Sequence, residues 1–98
     1  PDGRMVRTII VKRLDDEKNA ADQLKAARAL GGDLMNKVEA AMACSFLRDK
    51  FKPTAYWLND PQDVDADYAW VQLFGDGGQH WTLKKFVWPA CVVRREVL

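Results

Sequence analysis

The 98-residue chain has little of several things that usually announce a function. Histidine occurs once, at His80, so a metal site built on it would need carboxylate help rather than the His and Cys set that zinc favours. Cysteine occurs twice, at Cys44 and Cys91, without metal-ligand spacing. So few cysteines argue against a disulfide-stapled secreted mini-domain, and the pair reads as two buried thiols in a reducing compartment. An excess of one charge is also missing: 15 Lys and Arg face 14 Asp and Glu. A dedicated nucleic-acid binder normally carries a stronger basic surplus. No apolar run approaches the ~20 residues that span a bilayer, and no signal-peptide pattern opens the chain. A cytoplasmic location without membrane association is therefore expected. Repeats, low-complexity stretches and internal linkers are absent, and so is any catalytic or nucleotide-binding signature.

What remains is ordinary for a globular protein. Apolar residues make up 48% and charged residues 30% of the chain, enough for one core in one domain spanning residues 1–98. Met5 to Leu14 predicts a first strand, β-branched from Thr8 to Val11 and made basic by Arg4, Arg7, Lys12 and Arg13. Asp15-Asp16-Glu17 predicts a cap and the negative first turn of a helix ending near Leu30, with the thin stripe Ala20, Leu24 and Ala27. Gly31-Gly32 stops it, and Asp33 is the expected cap of a second helix from Leu34 to about Phe51. That second helix carries two stripes. Leu34, Met35, Val38, Ala41, Met42 and Phe46 form one, and Ala40, Ala43, Cys44, Leu47 and Phe51 the other, so cover on two sides is expected. Lys52-Pro53 ends the helix, and Thr54 to Leu58 reads as a short strand. Between Pro53 and Leu83 stand five Asp and no Lys or Arg.

The last third, from Asp67 to Leu98, predicts an antiparallel meander. Asp76-Gly77 has the chemistry of a two-residue hairpin turn, which sets Gln72 opposite Trp81. A second tight turn at Pro89-Ala90 sets Trp88 opposite Cys91. Alternation then places Tyr68, Trp70, Phe74, Trp81, Leu83, Val87, Val92 and Leu98 on one face. Ala69, Val71, Leu73, Phe86, Trp88, Cys91, Val93 and Val97 take the other. Both faces are apolar, so something must cover each. The expected fold is α+β: a strand, two helices on one face, and a sheet of three or four antiparallel strands. A second subunit is the expected cover for the other face. Strand, helices and consecutive strands resemble cystatin-like and NTF2-like layouts in element order, which implies a curved sheet wrapping a helix.

Candidate sites follow from these placements. The partner-binding candidates are Ala40, Cys44, Leu47, Phe51, Val71 and Leu73. Lys84 and Lys85 face Arg95 and Arg94 in the predicted register and form a candidate anion-binding band, unless Asp63 to Asp67 neutralise it. Trp70, His80 and Trp81 are the candidate pocket residues. Asp63-Val-Asp65-Ala-Asp67 opens like a calcium loop, but Tyr68 stands where glycine is needed and Phe74 where the bidentate Glu belongs. No metal and no cofactor is expected. The sequence therefore points to a non-enzymatic binding module, a homodimer acting on a protein partner, of a size that suits an accessory protein of a bacterium or phage. A small-molecule pocket protein or small enzyme is the alternative, and a nucleic-acid binder using the basic band the third reading.

Overall fold

A computed structural model describes residues 6–60 and 66–98. The chain order is β1 (Val6–Lys18), α1 (Ala20–Ala29), β2 (Asp33–Leu34), α2 (Lys37–Leu47), β3 (Ala55–Trp57), β4 (Tyr68–Leu73), β5 (Gln79–Leu83) and β6 (Trp88–Val97), with a 3-10 turn at Arg48–Lys50. The class is α+β, as expected. The sheet has six strands, ordered β1-β6-β3-β4-β5, with β2 paired to β6 as well. It is mixed, because β3 meets β6 in parallel at Trp57 and Ala90.

The predicted meander is corrected at its second turn. β5 pairs with β4, but β6 leaves the hairpin and lies in the middle of the sheet, antiparallel to β1. Pro89-Ala90 is not a turn; both residues are buried inside β6, and the reversal falls at Lys84–Val87, where Phe86 N–H donates to the Leu83 carbonyl at 3.0 Å. The reason is burial. Pro89 to Val93 is apolar without interruption, so this strand needs neighbours on both edges and cover on both faces.

The first hairpin is present with a longer loop. Gln72 faces Gln79 and Trp70 faces Trp81, not Gln72 with Trp81. Asp76 does not adopt the positive φ that a two-residue turn demands; Gly77 alone does, at 86°. The Leu73 carbonyl accepts from Gly77 N–H at 2.9 Å while Leu73 N–H donates to the Gly78 carbonyl at 2.8 Å. One residue thus opposes two, a glycine bulge. Because the slip is even, the hairpin faces survive, but β6 enters with the opposite parity. Cys91 and Val93 share a core with Trp70, and Val92 shares one with Val71.

The helices lie on opposite faces, not on one. α2, through Ala40, Ala43 and Cys44, covers Tyr56, Leu58, Phe74, Cys91 and Val93. α1, through Ala27 with Ala20 and Leu24, covers Ala55, Trp57, Val71, Ala90 and Val92. A helix on each face is not the one-sided cover that the resemblance to cystatin-like and NTF2-like layouts implied. β1 also runs longer than predicted, through Asp15-Asp16-Glu17, with register shifts between Ile10 and Lys12 and between Leu14 and Lys18. Asn19 caps α1 instead, its side chain accepting from Asp22 N–H. Asp33 belongs to β2, and Asn36 caps α2 in a reciprocal box with Glu39. Arg4 and Met5, like Asp63 and Asp65, lie outside the described residues.

The chain leaves α1 through Gly31 and Gly32, whose N–H groups donate to the Arg28 and Ala27 carbonyls at 3.0 Å each. Gly32 then passes directly against β6: a Cβ there would lie 2.6 Å from the Val93 carbonyl oxygen and 2.7 Å from Val92 Cγ1. Gly32→Ala must push β2 off the central strand. A loss of about 2 kcal/mol is expected from this overpacking, read by urea unfolding.

Candidate functional site

The helix α2 is turned inside out by size. Its buried residues are Ala40, Ala43 and Cys44. Its large apolar residues face water: Val38 is 68% exposed, Met42 57% and Phe46 78%. The sheet explains the inner face. Tyr56 and Phe74 stand beneath α2 and meet edge-on with ring centroids 5.0 Å apart, and Phe51 stacks on Phe74 at 4.3 Å. With rings supplied from below, only small residues fit above at interior packing density. The outer stripe, at i, i+4 and i+8, has no such internal explanation.

A flank of β1 lies beside that stripe. Val6 and Ile10 face the α2 side, because their partners Val97 and Val93 do. Val6, Ile10 and Val97 are all exposed. With Thr8, Met35, Met42, Phe46 and Leu47, the β1 residues line an open, largely apolar groove of about 360 Å³. The helices leave this strip bare because they are offset. α1 lies over β2, β6 and β1, whereas α2 contacts β4. A helix is about 10 Å wide and strands are about 4.8 Å apart, so one helix cannot cover five strands. The diagonal counterpart is the α1 side of β5, which presents His80 and Thr82. That bare strip is polar, and the one beside α2 is apolar.

One end of the groove is held by charge. The Arg95 guanidinium binds Glu39 at 2.7 Å through two nitrogens, Asp33 at 2.9 Å and the Leu34 carbonyl at 3.1 Å. The Thr8 hydroxyl donates to Glu39 at 2.8 Å. Burial pushes the Glu39 carboxyl up, but the bonds from Arg95, Asn36 N–H and Thr8 outweigh it and hold the group below its ordinary value. Burial and the bonds from Asn59 and Arg95 oppose each other in the same way at Asp33, with the same outcome. Arg95 is raised, by its bonds to Glu39 and then Asp33.

The anion-binding band does not assemble. Arg95 is committed to Asp33 and Glu39, and Arg94 to Glu96 at 3.2 Å. Lys84 and Lys85 lie before the start of β6, roughly 20 Å from Arg94 at about 3.3 Å per residue. Of the self-neutralising loop, Asp63 and Asp65 lie outside the described residues; Asp67 accepts through its backbone from Lys84 N–H at 2.8 Å. The pocket candidates are divided as well. Trp70 and Trp81 meet edge-on at 4.9 Å on the α2 side, with Lys37 Nζ 3.5 Å from the Trp70 ring centre. His80 pairs with Val71 and points to the α1 side.

Of the partner-binding candidates, Ala40, Cys44, Phe51 and Val71 are buried in the chain's own core, Leu73 is half-buried and Leu47 lines the groove. Cover on both stripes was expected, but of the stripe Leu34, Met35, Val38, Ala41, Met42 and Phe46 only the first two are buried. Side-chain size was the signal for this. Both cysteines are free and buried, and burial pushes the Cys91 thiol up to about 12. Among the described residues, no three His, Cys, Asp or Glu side chains gather as metal ligands. No described helix is long and apolar enough to cross a membrane. Comparisons with protein-family models, with curated proteins and with solved structures return no match.

The Arg95 cluster gives a pH prediction. Both carboxyls are depressed in the fold, so their stabilisation is complete above the ordinary values of 4.5 for Glu39 and 3.8 for Asp33. It is lost as pH falls through their folded values. Arg95→Gln should cost about 2 kcal/mol at neutral pH, between the worth of exposed and buried pairs. Denaturant unfolding should show the difference from wild type shrinking below about pH 4, as the partner carboxylates protonate.

Proposed function

We infer that the chain is a non-enzymatic protein-interaction module that works as a homodimer, joined through α2 and the α2-side flank of β1. The observation carrying this is the contrast between the two uncovered strips of sheet: the one beside α2 is apolar, and its diagonal counterpart is polar. Monomers rarely expose contiguous apolar patches beyond a few hundred Å². Seven large apolar side chains, each 38–78% exposed, gather here: Val6, Ile10, Val38, Met42, Phe46, Leu47 and Val97. Several hundred Å² of hydrocarbon is commensurate with the ~800 Å² that each partner contributes to a standard interface.

The occupant is a second copy because the stripe is self-complementary. Val38 and Phe46 are equidistant in sequence from Met42, so an antiparallel twofold contact sets Val38 against the partner's Phe46 and Met42 against the partner's Met42. Ala41 and Ser45 are exposed and small, which lets the two helices approach closely. A twofold contact of this kind buries the same stripe on both copies and needs no other protein.

The small-molecule reading keeps one supporting observation, a groove whose volume falls in the range of ligand sites. Its polar groups, Thr8 and Glu39, are however already bonded to each other and to Arg95. The nucleic-acid reading loses its support with the separation of Lys84 and Lys85 from Arg94 and Arg95.

Sedimentation at micromolar concentration should give twice the 11.2 kDa of one chain. Phe46→Glu should return the single-chain mass with unchanged circular dichroism, weakening association roughly 100-fold or more because each copy would bury an unpaired carboxylate. A wild type that sediments as a single chain sinks the reading.

A further inference from the structure

We propose that the free edge of β5 is a docking site for an extended segment of another protein, which adds to the sheet as an antiparallel strand with its acidic end beside Lys84 and Lys85. The proposal rests on the protein-partner half of the function above and names the surface and chemistry of that partner.

The two edges of this sheet are built differently. β1, at one end, carries Arg7, Lys12, Arg13 and Lys18 and is broken by two register shifts. Charge and bulges on an edge strand are the usual protection against unwanted pairing. β5, at the other end, reads Gln79-His-Trp-Thr-Leu83, with no charged residue, no proline and an unbroken register against β4. Among the described residues, His80, Trp81 and Thr82 make no backbone hydrogen bond except to β4. Alternate N–H and C=O groups of an edge strand point away from its neighbour, so a row of donors and acceptors stands open.

Three further features suit an added strand. Gln79 is held rigidly, its amide donating to Gln72 Oε1 at 2.9 Å and to the Lys37 carbonyl at 2.8 Å, which ties the hairpin to α2. Trp81 rests edge-on against Trp70 yet is 54% exposed, an aromatic surface for one side chain of the incoming strand. Lys84 and Lys85 follow at the C-terminal end of β5, exposed and without an ion pair among the described residues. An antiparallel strand brings its N-terminal residues there, so carboxylates at that end complement the lysines. Strand addition of this kind takes its affinity from main-chain bonds and its specificity from alternate side chains.

A second copy is the competing occupant. Five residues of edge pairing bury little of the ~800 Å² per partner that a standard interface needs, whereas short strand additions suit weak, exchangeable contacts. The two edges also lie at opposite ends of the sheet order. The groove offered to the dimer has no β5 residue in its lining, so that contact does not require the β5 edge.

The test uses the full chain and a synthetic peptide, Glu-Glu-Val-Thr-Tyr-Thr-Val, with Lys-Lys-Val-Thr-Tyr-Thr-Val as its charge-reversed control. Amide and indole shifts in NMR should move at Gln79–Leu83 and at the Trp81 ring. Binding should weaken roughly tenfold with the lysine peptide and by a similar factor in Trp81→Ala, the size of a modest hot spot. Phe46→Glu should change the mass and leave peptide binding intact, which separates failure of the dimer from failure of this edge. No shift at β5 with millimolar acidic peptide, shifts confined to the α2 groove, or equal affinity for both peptides would each overturn the proposal. It also fails if the β5 amides of the free protein gain exchange protection with protein concentration, because a second copy then holds the edge.

Discussion

Pro89 to Val93 has no wet side, and the rest of the molecule is placed by that fact. A strand whose neighbouring residues are all apolar and all buried cannot stand at an edge or face solvent. It takes β1 along one edge and β2 with β3 along the other. Its two faces then require two covers, and the chain owns two helices. One goes to each side, α2 over Cys91 and Val93 and α1 over Ala90 and Val92. The close pass of Gly32 against Val93 belongs to the same demand, since β2 must reach the central strand immediately after α1 ends.

Two short helices on five strands leave two bare strips, and composition distinguishes them. The strip on the α1 side of β5 ends in His80 and Thr82, groups that water satisfies. The strip beside α2 ends in Val6, Ile10 and Val97 and is continued by the outward side chains of the helix. Aromatic rings from the sheet fill the space under α2 and admit only Ala40, Ala43 and Cys44 there. The large residues are left to the other side, so core packing and the candidate dimer surface have a common origin. Arg95 ties these parts together, because its side chain adds to the β2–β6 ladder a link from β6 to Asp33 of β2 and to Glu39 in the first turn of α2.

The two ends of the sheet divide the remaining work. β1 is charged and bulged along its edge, and β5 is regular and neutral. Association through apolar side chains above β1 does not require its backbone edge. Strand addition at β5 requires little else. The two proposed contacts thus fall at separate places on a small domain, and neither draws on the buried cysteines.

Much of the local structure was legible in the sequence because local rules decide it. The β-branched first strand, the stop at Gly31-Gly32, the apolar stripes of α2, the hairpin around Asp76-Gly77 and the free buried thiols follow from propensity, turn chemistry and composition. Boundaries moved where a nearby alternative was better, as when Asn19 and Asn36 served as caps and Asp15-Asp16-Glu17 continued β1. Long-range pairing was not legible. Nothing within Lys84 to Ala90 records that β6 abandons β5 for β1, some eighty residues earlier in the chain. Nor does a helical stripe say which side of the sheet will receive it. Those choices depend on how much apolar surface the assembled sheet must cover and how much room its aromatic rings leave, quantities that exist only once the strands are in place. The sequence determined the centres of the long strands and of both helices and that both sheet faces are apolar, while Asp15 to Glu17 and Asp33-Leu34 became strand. The tertiary structure decided that one helix covers each face, that Val38, Met42 and Phe46 remain outside, and that β5 rather than β6 is the open edge.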